Sequence, residues 1–271
     1  MSAVVRTKKL EKIYEGGDVP VHALRGVNFI AREGELVSIL GPSGSGKTTL
    51  LNMLGALDSP TSGKIIIDGI DIAKSSAAEL TKHRLKIGFV FQSFNLISRL
   101  TAFQNVEIPL IIQGVPKKRR QEIAMNALVQ VGLKKRIHHK PTQLSGGEMQ
   151  RVALARALAR DPPPKFLLMD EPTGNVDIKT RDKILKLVQK INEDIGATII
   201  IITHDHEVAK IASRSYYIVD GRIYSSEEHY LELKEQHLIG KQEEGEVDDV
   251  EQDEEIEETA RKRRHSKPRR K

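Results

Sequence analysis

The run GPSGSGKT, Gly41 to Thr48, follows the apolar stretch LVSIL and leads into TLL, so strand, glycine-rich turn and helix start succeed one another. That order is the one in which a nucleoside triphosphate is held. Gly41, Gly44 and Gly46, with Pro42, Ser43 and Ser45 between them, let backbone N–H groups close around phosphate oxygens while the new helix offers its positive end. Lys47 is placed to reach the terminal phosphates and Thr48 to give a hydroxyl to Mg2+, with Thr49 next in the same turn.

Phosphate transfer also needs a carboxylate for the hydrated metal and a group that positions water. FLLMDE, Phe166 to Glu171, supplies both: a buried strand delivers Asp170 at its C-terminal edge, where ligands gather in open parallel sheets, and Glu171 follows directly. Asp170 is assigned to Mg2+ and Glu171 to the general base toward the attacking water. His204, after IIIIT, and Gln92, after IGFVF, end strands at the same edge. There His204 could hydrogen-bond a terminal phosphate, and Gln92 could touch metal or water.

A second glycine-rich turn, LSGGEMQR from Leu144 to Arg151, opens a helix but has no lysine and no strand before it. Ser145, Gly146 and Gly147 offer a hydroxyl, N–H groups and a helix N-terminus, enough for an anion already gripped elsewhere and weak as a primary site. A plain helix cap would account for Ser145 but not for the paired glycines.

Positioning these groups requires a layered framework. VVRTKKL (Val4 to Leu10), the stretch Val27 to Ala31, and KIIIDG (Lys64 to Gly69) read as antiparallel strands. LVSIL, IGFVF, FLLMD and ATIIIIT are short, β-branched and unalternating, as strands covered on both faces are. Between the second and third of these lies a helical stretch, clearest over Lys117 to Leu133 and Gly147 to Arg160, the latter stopped by DPPP. A Ser225 to Glu228 capping box announces one more helix, ending at Gly240.

Composition narrows the class. With 39% apolar residues in 271, the chain can bury a real core and is expected to fold as a soluble globule; 4% aromatics and no Trp leave few platforms for stacked bases, so no nucleic acid is expected. The absence of Cys excludes disulfides, thiolate metal sites and cysteine nucleophiles. No apolar run approaches the ~20 residues of a membrane span, and the N-terminus lacks a secretion signal's plan, so a cytoplasmic protein is expected. The net charge of +6 is uneven: Gln242 to Glu258 carries eleven acidic residues and Arg261 to Lys271 eight basic ones, leaving the basic charge on the body. Residues 241–271 read as a disordered acidic-then-basic tail, whose basic end could contact anionic lipid weakly.

Taken together, GPSGSGKTT, Gln92, LSGGEMQRVALARAL, LLMDEPTGNVD and THD resemble, in order and spacing, the ATP-binding cassette (ABC) ATPases over about Val4 to Tyr224. GFVFQSFNLISRLTAFQNVEIPL is similar to the ATPase subunits of the lipoprotein-releasing, macrolide-exporting and cell-division-associated group. The resemblance implies an α/β P-loop NTPase fold: a RecA-like core (1–95 and 165–225) with an antiparallel β subdomain, an inserted helical subdomain (96–164) and a C-terminal helix (226–240), all within an ATPase domain 1–240. It implies ATP and Mg2+ as ligands, and Tyr14 as the ring stacking on adenine, although Tyr14 reads equally as a half-exposed strand residue. Two copies would pair head-to-tail, with Ser145, Gly146, Gly147 and Glu148 of one facing the nucleotide of the other and Asp177 bridging the pair. A transmembrane permease would insert a cytoplasmic element near Ser93 to Val115, holding the protein at the inner face of the cell membrane. Glu148 stands where Gln is usual, and Asn175 and Val176 where Ala and Leu are commoner. Two other readings remain: a soluble ABC ATPase acting on nucleic acid or ribosomes, which the basic body and RKRRHSKPRRK suggest, and a subunit of metal-cluster assembly.

Overall fold

A computed structural model describes residues 3–16, 19–228 and 230–232. The stretch 241–271 lies outside the described residues, as do His229 and residues 233–240 of the expected last helix. In the short unit that begins at Ser226, Glu227 and Glu228 are helical and the Tyr230 N–H donates to the Ser226 carbonyl, so the turn opens one residue later than the expected box at Ser225.

The chain opens with β1 (Ala3–Tyr14), β2 (Val21–Val27) and β3 (Ile30–Arg32), then enters β4 (Leu36–Leu40), the glycine turn and α1 (Lys47–Leu54). β5 (Ser62–Ile67) and β6 (Ile70–Asp71) return to the first strands, and α2 (Ala77–Arg84) leads to β7 (Ile87–Val90). Next come α3 (Ala102–Ile112), α4 (Lys117–Gln130) and α5 (Gly146–Leu158), before β8 (Phe166–Asp170). Then follow α6 (Ile178–Ile195), β9 (Thr198–Thr203), α7 (His206–Ala209), β10 (Arg214–Val219) and β11 (Arg222–Tyr224).

The unalternating strands build a six-stranded sheet in the order β11-β10-β4-β9-β8-β7, parallel except for β11. Both faces are covered, which is why apolar residues occupy consecutive positions. In β9, Ile199 and Ile201 pack with α3, α4, α5 and α6, whereas Ile200 and Ile202 pack with α1 and the antiparallel sheet. β8 divides the same way, Leu167 and Met169 to one side and Phe166 and Leu168 to the other.

The antiparallel sheet runs β2-β1-β5-β6, with β3 also on β1. The expected strand Val27 to Ala31 is interrupted: β2 ends at Val27 and β3 starts at Ile30. Buried Thr7 explains the break, since its hydroxyl donates to the Val27 carbonyl and accepts from the Phe29 N–H, both at 2.9 Å, replacing rungs of the ladder. In β1 the inward alternation of Val5 and Thr7 skips at Lys9, whose φ of 45° forms a bulge and returns Leu10 to the core.

The helices between β7 and β8 are shorter than their sequence pattern, α4 stopping at Gln130 and α5 at Leu158. α6 and β10, not singled out in the sequence, are both integral: Ile184, Leu185, Val188 and Ile191 form the buried stripe of α6, and β10 pairs in parallel with β4.

Candidate functional site

Parallel strands deliver their C-terminal ends to one edge, and that edge gathers most of the chemically suggestive residues. The glycine turn leaves β4, Gln92 follows β7, Asp170 ends β8 with Glu171 directly after it, and His204 follows β9. Because β9 lies between β4 and β8, His204 stands between the glycine turn and the carboxylates.

Glycine is obligatory at two points of the turn. A Cβ on Gly41 would lie 2.3 Å from the Ile218 carbonyl oxygen, and one on Gly46, whose φ is 102°, would lie 2.4 Å from the Ala23 carbonyl oxygen. α1 therefore begins without a side-chain cap, its first N–H groups left for an outside acceptor. Among the described residues a Cβ on Gly44 would meet nothing within 4 Å, and the buried Ser45 hydroxyl has no hydrogen-bond partner. The buried Lys47 ammonium donates to the carbonyls of Gly41 at 2.8 Å and Pro42 at 2.7 Å. Burial lowers the Lys47 pKa, against the pull of Glu171 and Asp170.

Thr48 and Asp170, assigned together to a metal, are adjacent: the Thr48 hydroxyl donates to Asp170 Oδ2 at 3.3 Å. Burial raises the Asp170 pKa, the Thr48 bond opposes it, the neighbouring Glu171 charge adds to it, and Lys47 opposes it. Glu171 has a left-handed backbone, φ 44°, uncommon for a side chain with a Cβ. Its N–H donates to the Ile202 carbonyl at 3.0 Å, and its Oε2 accepts from the Thr203 hydroxyl at 3.3 Å. His204 Nδ1 lies 2.8 Å from the other oxygen, so the imidazole faces the carboxylate. Among the described residues no group of three His, Cys, Asp or Glu could hold a metal ion.

Tyr14 lines one cleft of about 600 Å3 with Gly44, Gly46, Lys47, Thr48 and Thr49. Its ring is fixed: the hydroxyl donates to Asp58 Oδ2 at 3.0 Å, and Lys12 Nζ sits 4.8 Å from the ring centroid. Sequence reasoning missed the rest of this cleft, including His22 and Arg25 of β2 and the Asp220-Gly221 turn. That turn braces the phosphate loop: the Gly221 N–H donates to the Ser45 carbonyl at 3.0 Å, and the Gly221 carbonyl accepts the Arg25 N–H at 2.8 Å. Only the Gly221 backbone role leaves a mark in sequence, as a glycine in the turn of a hairpin.

The second glycine turn is not part of this cleft; it packs on the segment after Glu171. Ser145 caps α5, its Oγ accepting the Glu148 N–H at 3.3 Å while Glu148 Oε2 accepts the Ser145 N–H at 2.9 Å. Glu148 Oε1 accepts from Arg136 Nε at 2.9 Å. The Ser145 backbone bond is the main cause that holds the Glu148 pKa down. Gly147 has a packing reason that the sequence hid: its Cβ would stand 2.2 Å from Thr180 Cγ2. Thr180 in turn bonds Asp177, the cap of α6, by N–H at 3.0 Å and hydroxyl at 2.7 Å. Gln92 is joined to this group through its backbone, its carbonyl accepting Asn175 Nδ2 at 2.8 Å.

Residues 24–174 match the family described as ABC transporter. The chain is 52% identical to an uncharacterized ABC transporter ATP-binding protein of Thermotoga maritima, over 82% of this chain and 94% of that one. It is 43% identical to the lipoprotein-releasing system ATP-binding protein LolD of Geobacter metallireducens, over 82% of this chain and 99% of that one. It is also similar to the solved dimeric structure, in a post-hydrolysis state bound to ADP and Pi, of the cassette MJ0796 of Methanocaldococcus jannaschii, with TM-score 0.75 and 47% identity over 81% of this chain and 96% of that one. Likeness of this depth extends well beyond a shared phosphate loop, and this chain therefore belongs to the ABC transporter family, among its ATP-binding, ATP-hydrolysing members.

Proposed function

We propose that the chain is the motor subunit of a transporter: two copies clasp ATP head-to-tail at the cytoplasmic face of a transmembrane partner, and hydrolysis releases them. The observation that carries this reading is the meeting of Thr48, Asp170 and Glu171 beside the Lys47 turn, with Thr48 and Asp170 in hydrogen-bond contact. Among the described residues no helix is long and apolar enough to cross a membrane.

The residues fit nucleotide and Mg2+. Uncapped N–H groups of α1, the open space at Gly44 and the unpartnered Ser45 hydroxyl form a cradle for phosphate oxygens, and Lys47 turns from the loop carbonyls to the terminal phosphate. Tyr14 stacks on adenine. Thr48 and Asp170 would hold Mg2+, which when bound would supply positive charge to the phosphates. Glu171, fixed by Thr203 and His204, takes the proton of the attacking water. The Ser145 hydroxyl and the N–H groups of Gly146 and Gly147 close on the nucleotide of the other copy. Glu148 supports that turn as part of its cap. Asp177 stands at the seam between protomers, and Gln92 links the nucleotide to the partner's docking surface around Ser93 to Val115, where Ile97, Ile111 and Ile112 are exposed.

Similarity to LolD, named for lipoprotein release, favours cargo released from or exported across a membrane. The MJ0796 cassette supports pairing around nucleotide. Hydrolysis measured over a dilution series tests the reading: the rate per molecule falls as the protein is diluted below its dimerisation range. A rate that stays flat in a strictly monomeric preparation would overturn it.

A further inference from the structure

The side chain of Asn175 makes a contact that the expected roles of Gln92, Asp177 and the glycine turn do not include. Asn175 lies in the turn after Glu171, two residues before Asp177. Its Nδ2 donates to the Gln92 backbone carbonyl at 2.8 Å. On its other side, the Asn175 carbonyl oxygen lies 3.1 Å from where a Cβ on Gly146 would stand, so its backbone abuts the α5 turn. One residue therefore touches the loop leaving β7 and the surface that meets the second copy.

The loop beyond Gln92 is suited to move as a piece. Phe94 and Asn95 both have left-handed backbones, φ 59° and 49°, and both carbonyls accept from the Arg156 guanidinium of α5. Burial lowers the Arg156 pKa, and the paired carbonyls supply the acceptors its charge requires. Farther on, fully buried Asn105 binds the Ile97 N–H through Oδ1 and the carbonyls of Ile97, Leu100 and Thr101 through Nδ2. Successive side-chain bonds thus run from the Glu171 turn through residues 92–101 to exposed Ile97. The first of them is made by the side-chain amide of Asn175.

We infer that Asn175 is a positioning residue that makes the Gln92 loop follow closure of the seam through a backbone bond, independently of the Gln92 side chain. The inference rests on the ATP-driven pairing proposed above. It assigns the loop a second input besides contact between Gln92 and nucleotide, and predicts that the two are separable.

The absence of Cys permits a direct test. Ser98→Cys, introduced with Glu171→Gln to hold ATP and labelled with an environment-sensitive dye, reports on the loop when ATP and Mg2+ are added, while size-exclusion chromatography reports the dimer separately. In this background Asn175→Ala and Asn175→Asp, neither of which can donate to the Gln92 carbonyl, are expected to form the ATP-dependent dimer with most of the dye response lost. Gln92→Ala, which keeps the carbonyl and loses only the side-chain input, retains the larger part of the response. A full response in the Asn175→Ala dimer overturns the inference, as does loss of the response in a Gln92→Ala dimer. An ATP-dependent dimer with an altered loop response in Asn175→Ala leaves the pairing intact and separates the two claims, whereas no dimer in the parent protein overturns both.

Discussion

His204 Nδ1 lies 2.8 Å from Glu171 Oε1, and the two side chains differ sharply in exposure, 59% for the imidazole and 11% for the carboxylate. The ring acts as an outer wall for a largely enclosed carboxylate whose other oxygen is held by Thr203. Thr203 is itself fixed, because its hydroxyl accepts the Asp205 N–H at 3.0 Å. Orientation of Glu171 is thus set by β9 and the residues just after it.

Replacing Glu171 by Gln should lower ATP turnover by ~10²- to 10⁴-fold, the usual effect of losing a general base, while ATP still assembles a dimer. If His204 acts through Glu171, His204→Ala should cost much less in the Glu171→Gln background than in the native protein. Steady-state hydrolysis by the native chain, the single variants and the double variant checks this; full additivity would separate their roles.

Neither Lys47→Ala nor Ser145→Arg should hydrolyse ATP as a homodimer. When the two chains are mixed, one composite site unites an intact Lys47 turn with an intact Ser145 turn, and activity should return in the heterodimer. Heterodimers isolated by two affinity tags and assayed for phosphate release decide the matter; an inactive heterodimer would remove the argument for action across the seam.

His83 of α2 is 3% exposed, and neither ring nitrogen has a hydrogen-bond partner among the described residues. Burial, aided by Lys86 and Arg84 and opposed by Asp68, lowers its pKa to about 4. The folded value lies below the unfolded value, so this contribution is complete above about pH 6.5 and is lost as pH falls toward 4, amounting to ~3 kcal/mol across that window. His83→Leu should flatten this part of the stability profile. Urea unfolding of both proteins at pH 7.5 and 4.5 provides the comparison, and parallel losses would assign the acid sensitivity to other groups.

Gly147→Ala should destabilise the fold by about 1–3 kcal/mol, since the new methyl collides with Thr180 Cγ2. Thr180→Ser removes that methyl yet keeps the hydroxyl that bonds Asp177, so the double variant should recover most of the loss. Thermal unfolding of the single and double variants reads this out; no recovery would mean that the glycine is needed for something other than room.

The parts of the site tied to strand ends were legible because β4, β7, β8 and β9 are short apolar runs that stop at polar residues, and a parallel sheet brings such stops to one edge. Less visible were relationships made across long sequence separations. Nothing in the local wording marks Thr7 as the residue that breaks β2 from β3, or Thr180 as the reason for Gly147. β2 and the Asp220-Gly221 turn reach the Tyr14 cleft through backbone packing against Ala23 and Ser45, which leaves almost no side-chain pattern to read. The departure at Glu148 also looks different in three dimensions, where both carboxylate oxygens are already engaged.

The central place of β9 has a mechanical consequence. Since neighbouring strands are spaced by about 4.8 Å, the strand between β4 and β8 acts as a rigid spacer of fixed width. Its hydrogen bonds run to both neighbours and its residues are all buried, so its amides should be among the last to exchange with solvent. Warming should therefore leave the spacing between the β4 turn and Asp170 unchanged until the sheet itself melts.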